Sequence, residues 1–316
     1  MTHVVLVLVE TVDDYLHLLE HQGYALILAP TPASRAEAIA HHADRIDVVL
    51  TRGPLGLRAD EIAALPLLKI ICVIGAGYEA VDLQAASNRG ITVTNGAGAN
   101  ASCVADHAMA LLFSAVRGIP QADASIRRNE WVKVRQPSLT GKRLGIIGLG
   151  AIGQAIAKRA AHGFDMHISY HTRQPRDDSP YTYCANVLEL ASAVDFLIIA
   201  APGGSATHHL VNASVLDALG PDGYLVNIAR GSVVDTAALI AALTTGRIAG
   251  AGLDVFETEP LVPDALKTLG NVVMTPHVAG QSPEAVEGTV LLVVKNLLAF
   301  FAEQPVLTPV ALPEPA

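Results

Sequence analysis

Residues Arg143 to Arg176 read RLGIIGLGAIGQAIAKRAAHGFDMHISYHTRQPR. An apolar run leads into Gly148-Leu149-Gly150-Ala151-Ile152-Gly153, and a helical pattern follows over Ile152–His162. In such a strand–turn–helix the first glycine permits the tight turn and the second lets backbone approach a pyrophosphate. The third lets helix and sheet pack closely. Free N–H groups at the helix start favour phosphate. The turn therefore predicts a dinucleotide. About 20 residues past the first glycine, an acid is expected wherever a bare ribose is held. Here stand His171-Thr172-Arg173, then Arg176, with no carboxylate before Asp177. A 2′-phosphate carries about −1.5 to −2 charges. A carboxylate about 4 Å away would oppose it by on the order of 4 kcal/mol per unit charge at an effective dielectric near 20. The missing acid and the arginines thus favour NADPH, with NADH possible; the ordinary alternative is a solvated basic loop.

Around this turn the chain alternates strand and helix patterns. Strands are expected at Leu144–Leu149, His167–Tyr170, Asp195–Ala200, Tyr224–Ile228, Ala251–Val255 and Asn271–Met274, six in all, as in a dinucleotide-binding sheet. Helices fit Val187–Ala193, Ala213–Leu219 and Thr236–Thr245 between them. An earlier series has strands at Val4–Val9, Ala25–Leu28, Asp47–Thr51, Lys69–Val73 and Ile91–Thr94, with helical stretches such as Asp13–His21 and Ser34–His42. Alternation of this kind predicts an α/β protein with two doubly wound parallel-sheet domains. Long apolar helices at Ala101–Val116 and Pro283–Phe301 adjoin the polar segments NGAGANAS and HVAGQS, which read as chain crossings. The expected division is a discontinuous domain of residues 1–98 plus 285–316, and a dinucleotide-binding domain of residues 99–284. A ligand-binding cleft is expected between them.

Composition narrows the function. The 316 residues are 51% hydrophobic, with net charge −9 and a pI of about 5.7. No run of Lys or Arg offers a footprint for nucleic acid or an anionic membrane. Cys72, Cys103 and Cys184 have no metal-ligand spacing and read as free thiols of a reducing compartment. The start, MTHVVLVLVE, lacks a basic flank and reads as a first strand. The longest apolar stretches are interrupted by Asp106 and His107, or by Glu287 and Lys295, so neither is expected to span a bilayer. A cytoplasmic protein is the expectation.

Ligands of a doubly wound sheet lie beyond the carboxyl ends of its strands. Three candidates leave such ends: Arg230 in YLVNIARGSVVD, Glu259 in GAGLDVFETEP and His277 in NVVMTPHVAG. Together they suit reduction of a 2-oxo acid. Arginine grips the carboxylate and polarises the carbonyl. Histidine gives a proton to the new alkoxide, and a carboxylate bonded to it orients the ring and favours its charged form. Singly, each has a plainer reading. Arg230 suits a helix cap or a pair with Asp235, Glu259 lies in an acidic loop, and His277 is one of 12 histidines.

Over nearly its full length the chain resembles the D-isomer-specific 2-hydroxyacid dehydrogenase family. GLGAIGQAIAKR, NIARGSVVD, GAGLDVFETEP, TPHVAG, GAGYEAVD and VADHAMALL fall in that family's order. The resemblance implies Arg230 as substrate-binding, Glu259 as the histidine's partner and His277 as general acid/base. It implies that the N–H groups of Ala76 and Gly77 hold the substrate carboxylate, and that Asp254 meets the nicotinamide carboxamide. Thr207 matches a threonine near the nucleotide, although Gly203-Gly204 replaces the Leu-Thr often found after the proline. The expected cofactor set is Gly148, Gly150, Ala151, Ile152, Gly153, His171, Thr172 and Arg173, with Val104, Pro202, Ile228 and Ala229 also included. Arg52 is a candidate for meeting substrate hydroxyl or acidic groups, against a plain surface arginine. No metal is expected.

Within the family, YHTRQPR is similar to the NADPH-using glyoxylate/hydroxypyruvate and 2-ketogluconate reductases. The expected activity is NADPH-dependent reduction of small 2-oxo acids to D-2-hydroxy acids. The alternatives are an NAD-linked dehydrogenase of D-lactate or phosphoglycerate type, and a dinucleotide-sensing corepressor on the same fold. A homodimer is expected, through the helix Ala101–Val116 and the arm Gly118–Thr140.

Overall fold

The computed structural model describes residues 2–316. They form two compact units, one of residues up to Asn100 together with Gly280–Ala316, the other Ala101–Ala279. The crossings thus lie at Asn100–Ala101 and Ala279–Gly280, where the sequence reading has 98/99 and 284/285.

The first unit holds β1 (Val4–Val7), β2 (Ala25–Leu28), β3 (Val48–Arg52), β4 (Ile70–Ile74) and β5 (Thr92–Asn95). All pair in parallel, in the order β2-β1-β3-β4-β5. This is the flavodoxin-like order, in which the direction of winding reverses between β1 and β3. The run VVLV of β1 is buried at every position, as a strand covered by helices on both faces requires. The helix Pro283–Phe301 returns to this unit and packs Val290, Val293 and Leu297 with Val5, Val7 and Ile70. Beyond it the chain runs along the edge of β5, where the Asn95 N–H donates to Thr308 O and the Val310 N–H to Val93 O, at 3.2 and 2.8 Å.

The second unit holds β6 (Arg143–Ile147), β7 (His167–His171), β8 (Thr182–Tyr183), β9 (Phe196–Ile199), β10 (Tyr224–Asn227), β11 (Gly250–Leu253) and β12 (Val272–Met274). They too are parallel, in the order β12-β11-β10-β9-β6-β7-β8. Seven strands replace the six expected, because the two-residue β8 pairs with β7. Winding reverses between β6 and β9, the position at which such sheets bind nucleotides.

The helix Ala101–Arg117 has its apolar face occupied within this unit. Leu111, Leu112 and Val116 join Leu144, Ile156 and Val226 in one core. The arm after it begins with Gly118 at φ 57 and the helix Ile119–Arg127. An irregular stretch follows, in which Trp131, Val132 and Val134 are exposed. Among the described residues no single helix is long and apolar enough to cross a membrane. The bent pair Ala101–Arg117 and Ile119–Arg127 reaches that composition only jointly.

Candidate active site

The glycine turn leaves the end of β6. Gly148 sits at φ 93, a conformation that favours glycine, and a Cβ there would lie 2.7 Å from the Ala201 nitrogen. A Cβ on Gly153 would come 2.1 Å from Gly148 O, so helix and turn meet backbone to backbone. Around the Cβ position of Gly150, by contrast, nothing lies within 4 Å. Gly150 is the N-cap of the helix Ala151–Phe164 and offers no capping side chain. Open space before unpartnered helix N–H groups is what a pyrophosphate needs. The residues present fit a dinucleotide.

Beside this turn a cavity of about 460 Å³ is lined by Leu149, Gly150, Thr172, Arg173, Gln174 and Arg176. His171 closes β7 opposite Ile147 and is tied through Nδ1 to Cys184 O at 3.0 Å. Thr172 donates from Oγ1 to Gln174 O at 2.5 Å. The two arginines differ. Arg176 holds Asp178 with two nitrogens, at 3.1 and 2.9 Å, and Leu149 O with a third, at 3.2 Å. Arg173 is exposed on the cavity wall and makes no such bond among the described residues. Of the remaining expected cofactor positions, Ile152 is half-buried and Ala151 exposed, while Val104, Ile228 and Ala229 are buried. Pro202 O accepts a hydrogen bond from Thr207 Oγ1 at 2.8 Å, closing the loop after β9.

Arg230 follows β10 in a turn braced by Asn227. The buried Asn227 amide accepts from Ala229 N at 3.0 Å and donates to Arg230 O at 2.9 Å. The Arg230 guanidinium donates through one nitrogen to Ala229 O at 2.6 Å. Its aliphatic stem lies against Gly203, where a Cβ would come 2.8 Å from Arg230 Cγ. The departure at Gly203-Gly204 thus leaves room for the arginine. The next residue, Gly231, meets the loop after β11 so closely that a Cβ would fall 1.9 Å from the Phe256 carbonyl carbon.

His277 Nδ1 lies 2.7 Å from Glu259 Oε2, and the other oxygen of Glu259 accepts the Phe256 N–H at 2.9 Å. An ionised carboxylate only accepts, so the proton of this bond sits on Nδ1 and Nε2 is left for other chemistry. Burial alone would raise the Glu259 carboxyl. The bonds from His277 and Phe256 N, with the charges of His277 and Arg230, outweigh it and hold the group below the ordinary carboxylate value. The side chains of His277 and Glu259 remain 37% and 31% exposed.

Asp254 is fully buried at the end of β11 and braces the segment that carries His277. It accepts from Thr275 Oγ1 at 2.6 Å, Val278 N at 2.9 Å and Ala279 N at 2.9 Å. Its backbone carbonyl accepts the His277 N–H at 2.8 Å, holding that residue at φ 55. His107 Nε2 lies 2.9 Å from Thr275 Oγ1 and 3.5 Å from Asp254 Oδ1. Burial pushes the Asp254 carboxyl up. The hydrogen bonds from His107, Thr275 and the two backbone N–H groups more than reverse this and lower it. The expected contact with a carboxamide therefore competes with bonds that Asp254 already makes. The sequence does not single out Asn227, Thr275 or His107 for the site, because their only signal is a polar residue in an apolar strand, loop or helix.

In the first unit, Arg52 ends β3 with its side chain exposed. Ala76 and Gly77 follow β4, and neither N–H is bonded to another group among the described residues.

The family model described as "D-isomer specific 2-hydroxyacid dehydrogenase, NAD binding domain" matches residues 109–279. The chain belongs to this family. It is an oxidoreductase with two parallel-sheet α/β domains, as its relatives are. It is 44% identical to the hydroxyphenylpyruvate reductase of Plectranthus scutellarioides, over 88% of this chain and 90% of that one. It is 40% identical to the 2-ketogluconate reductase of Gluconobacter oxydans, over 88% and 91%. The NADPH-dependent glyoxylate/hydroxypyruvate reductase of Sinorhizobium meliloti, solved with NADP and malonate, superposes with a TM-score of 0.89. It is 40% identical over 98% of this chain and 97% of that one.

Proposed function

We propose that this family member is an NADPH-preferring reductase of small 2-oxo acids. The observation that carries the reading is the His277–Glu259 pair beyond β12 and β11. It lies at the same sheet edge as Arg230 and as a glycine turn whose neighbouring cavity has an uncommitted arginine. When bound, the reduced nicotinamide supplies the hydride. Arg230 binds the substrate carboxylate and polarises the 2-oxo group. His277 gives a proton from Nε2 to the oxygen that becomes the hydroxyl, and Glu259 holds the ring through Nδ1 while it is charged. Arg173 is the proposed contact to the 2′-phosphate, with His171 and Thr172 beside it. Ala76, Gly77 and Arg52 are the proposed substrate contacts of the first unit. Bonded to no other group among the described residues, the Ala76 and Gly77 N–H groups suit a carboxylate.

The names of the relatives direct the substrate class to glyoxylate, hydroxypyruvate, 2-ketogluconate and hydroxyphenylpyruvate. Those names are all reductases, so the oxidative and corepressor readings are not favoured. A cytoplasmic homodimer belongs to the same proposal, and exposed Trp131, Val132 and Val134 on the arm support the dimer. The test is kcat/KM for these four acids, with pyruvate and phenylpyruvate added, each with NADPH and NADH. Higher kcat/KM with NADPH on one of the four supports the reading. Turnover only with NADH on pyruvate, or no turnover, overturns it.

A further inference from the structure

The loop after β9 carries two consecutive histidines whose rings stack, with centroids 3.9 Å apart and planes inclined by 28°. His209 sits at φ 50. Its Nε2 lies 2.7 Å from Glu257 Oε1. One ligand atom each from His208, His209 and Glu257 lies within 4.8 Å of the other two. Two imidazoles and a carboxylate are a common zinc ligand set. With metal–ligand bonds of about 2.0–2.2 Å, a tetrahedral ion holds its ligands about 3.3–3.5 Å apart. The three ligand atoms already lie within 4.8 Å of one another, close to that spacing. The set is also supported from behind. Glu257 Oε2 accepts the Thr236 N–H at 3.3 Å, and the His209 N–H donates to Ser232 O at 2.8 Å. The bond from Thr236 orients the Glu257 carboxylate, and the one to Ser232 holds the backbone that carries His209.

We propose that His208, His209 and Glu257 form a binding site for one divalent transition-metal ion of the zinc type. The fourth position is open to water. None of the three belongs to the proposed catalytic or cofactor set, so the site stands apart from the reductase reading. Imidazole and carboxylate together favour Zn²⁺ or Co²⁺ over Mg²⁺ or Ca²⁺, which prefer all-oxygen shells. An ion there would join the loops after β9 and β11 to the start of the helix Thr236–Thr244.

The test uses full-length protein without an affinity tag, stripped with a chelator. Zn²⁺ binding is measured by calorimetry, and Co²⁺ is followed by its visible absorption, which is intense only for tetrahedral coordination. The expected result is one ion per chain with a tetrahedral Co²⁺ spectrum. His208→Ala and Glu257→Gln should each weaken Zn²⁺ at least tenfold and remove the spectrum. Among the described residues His208 makes no hydrogen bond, so its variant should retain the fold, which circular dichroism checks. The double variant His41→Ala/His42→Ala, altering another consecutive pair, should bind as wild type does. Absence of stoichiometric binding, or binding that survives both His208→Ala and Glu257→Gln, overturns the proposal.

Discussion

Asp254→Asn tests how His277, the proposed proton donor, is held. The carboxylate accepts three hydrogen bonds of 2.6–2.9 Å in a site without solvent exposure. An amide keeps one acceptor oxygen. If that oxygen stays with Thr275 and Val278 N, the new NH₂ faces the Ala279 N–H, donor against donor. A buried N–H left without a partner costs about 1–3 kcal/mol, and two bonds that lose their ionic character lose about 1 kcal/mol each. The sum is about 3–5 kcal/mol, read as a lower urea midpoint for the unit. The pH dependence has a definite sign. The folded-state carboxyl lies below its ordinary value. Its contribution is therefore complete above the ordinary carboxylate range and is lost as pH falls through the folded value. The variant should lose that acid-side slope. Because the Thr275–Ala279 backbone carries His277, kcat should fall with the stability. A variant within about 1 kcal/mol of wild type, with unchanged kcat, would refute this account of the network.

Arg173→Ala should weaken NADPH about 10–100-fold in a fluorescence titration, the worth of one charge-assisted hydrogen bond, and leave NADH nearly unchanged. His171→Asp should weaken NADPH and strengthen NADH; equal loss of both nucleotides in either variant would end the 2′-phosphate assignment. His277→Asn should lower kcat about 10²–10⁴-fold while NADPH affinity holds, and near-normal turnover would remove His277 from the proton step. Glu259 keeps its charge below the ordinary carboxylate range, so the acid limb of the wild-type rate should lie below that range and vanish in Glu259→Gln. Gly153→Ala sets a methyl against Gly148 O and should cost about 1–3 kcal/mol or more in a thermal melt, with a shift near zero counting against so close an approach of helix and turn.

The strands were legible because buried parallel strands read as β-branched runs, and VVLV, IICVI and FLII need no partner to be recognised. The short β8 and the four- to six-residue helices Ala59–Ala64, Leu83–Asn88 and Asp264–Lys267 were missed because one turn or one bridge carries too little periodicity. Arg230, Glu259 and His277 could be singled out as candidates because strand ends carry them in order along the chain. The difference between Arg173 and Arg176 could not, since it depends on where Asp178 and Leu149 O come to lie. The brace from His107 through Thr275 to Asp254 gathers residues more than a hundred positions apart. Only the closed fold brings them together.

The strip of chain along β5 bears on how this protein is made. On the outer edge of β5 the Asn95 N–H and the Val93 carbonyl are bonded to Thr308 and Val310, residues synthesised more than two hundred positions later. The second unit is one uninterrupted segment, Ala101–Ala279, whose two cores draw on no residue downstream of Ala279. On the ribosome it can fold while the earlier unit still lacks a helix and the cover of one sheet edge. Through that interval β5 presents unpaired backbone, the kind of surface on which nascent chains join one another. Slow translation of the final segment would then lower soluble yield without altering one contact of the finished molecule.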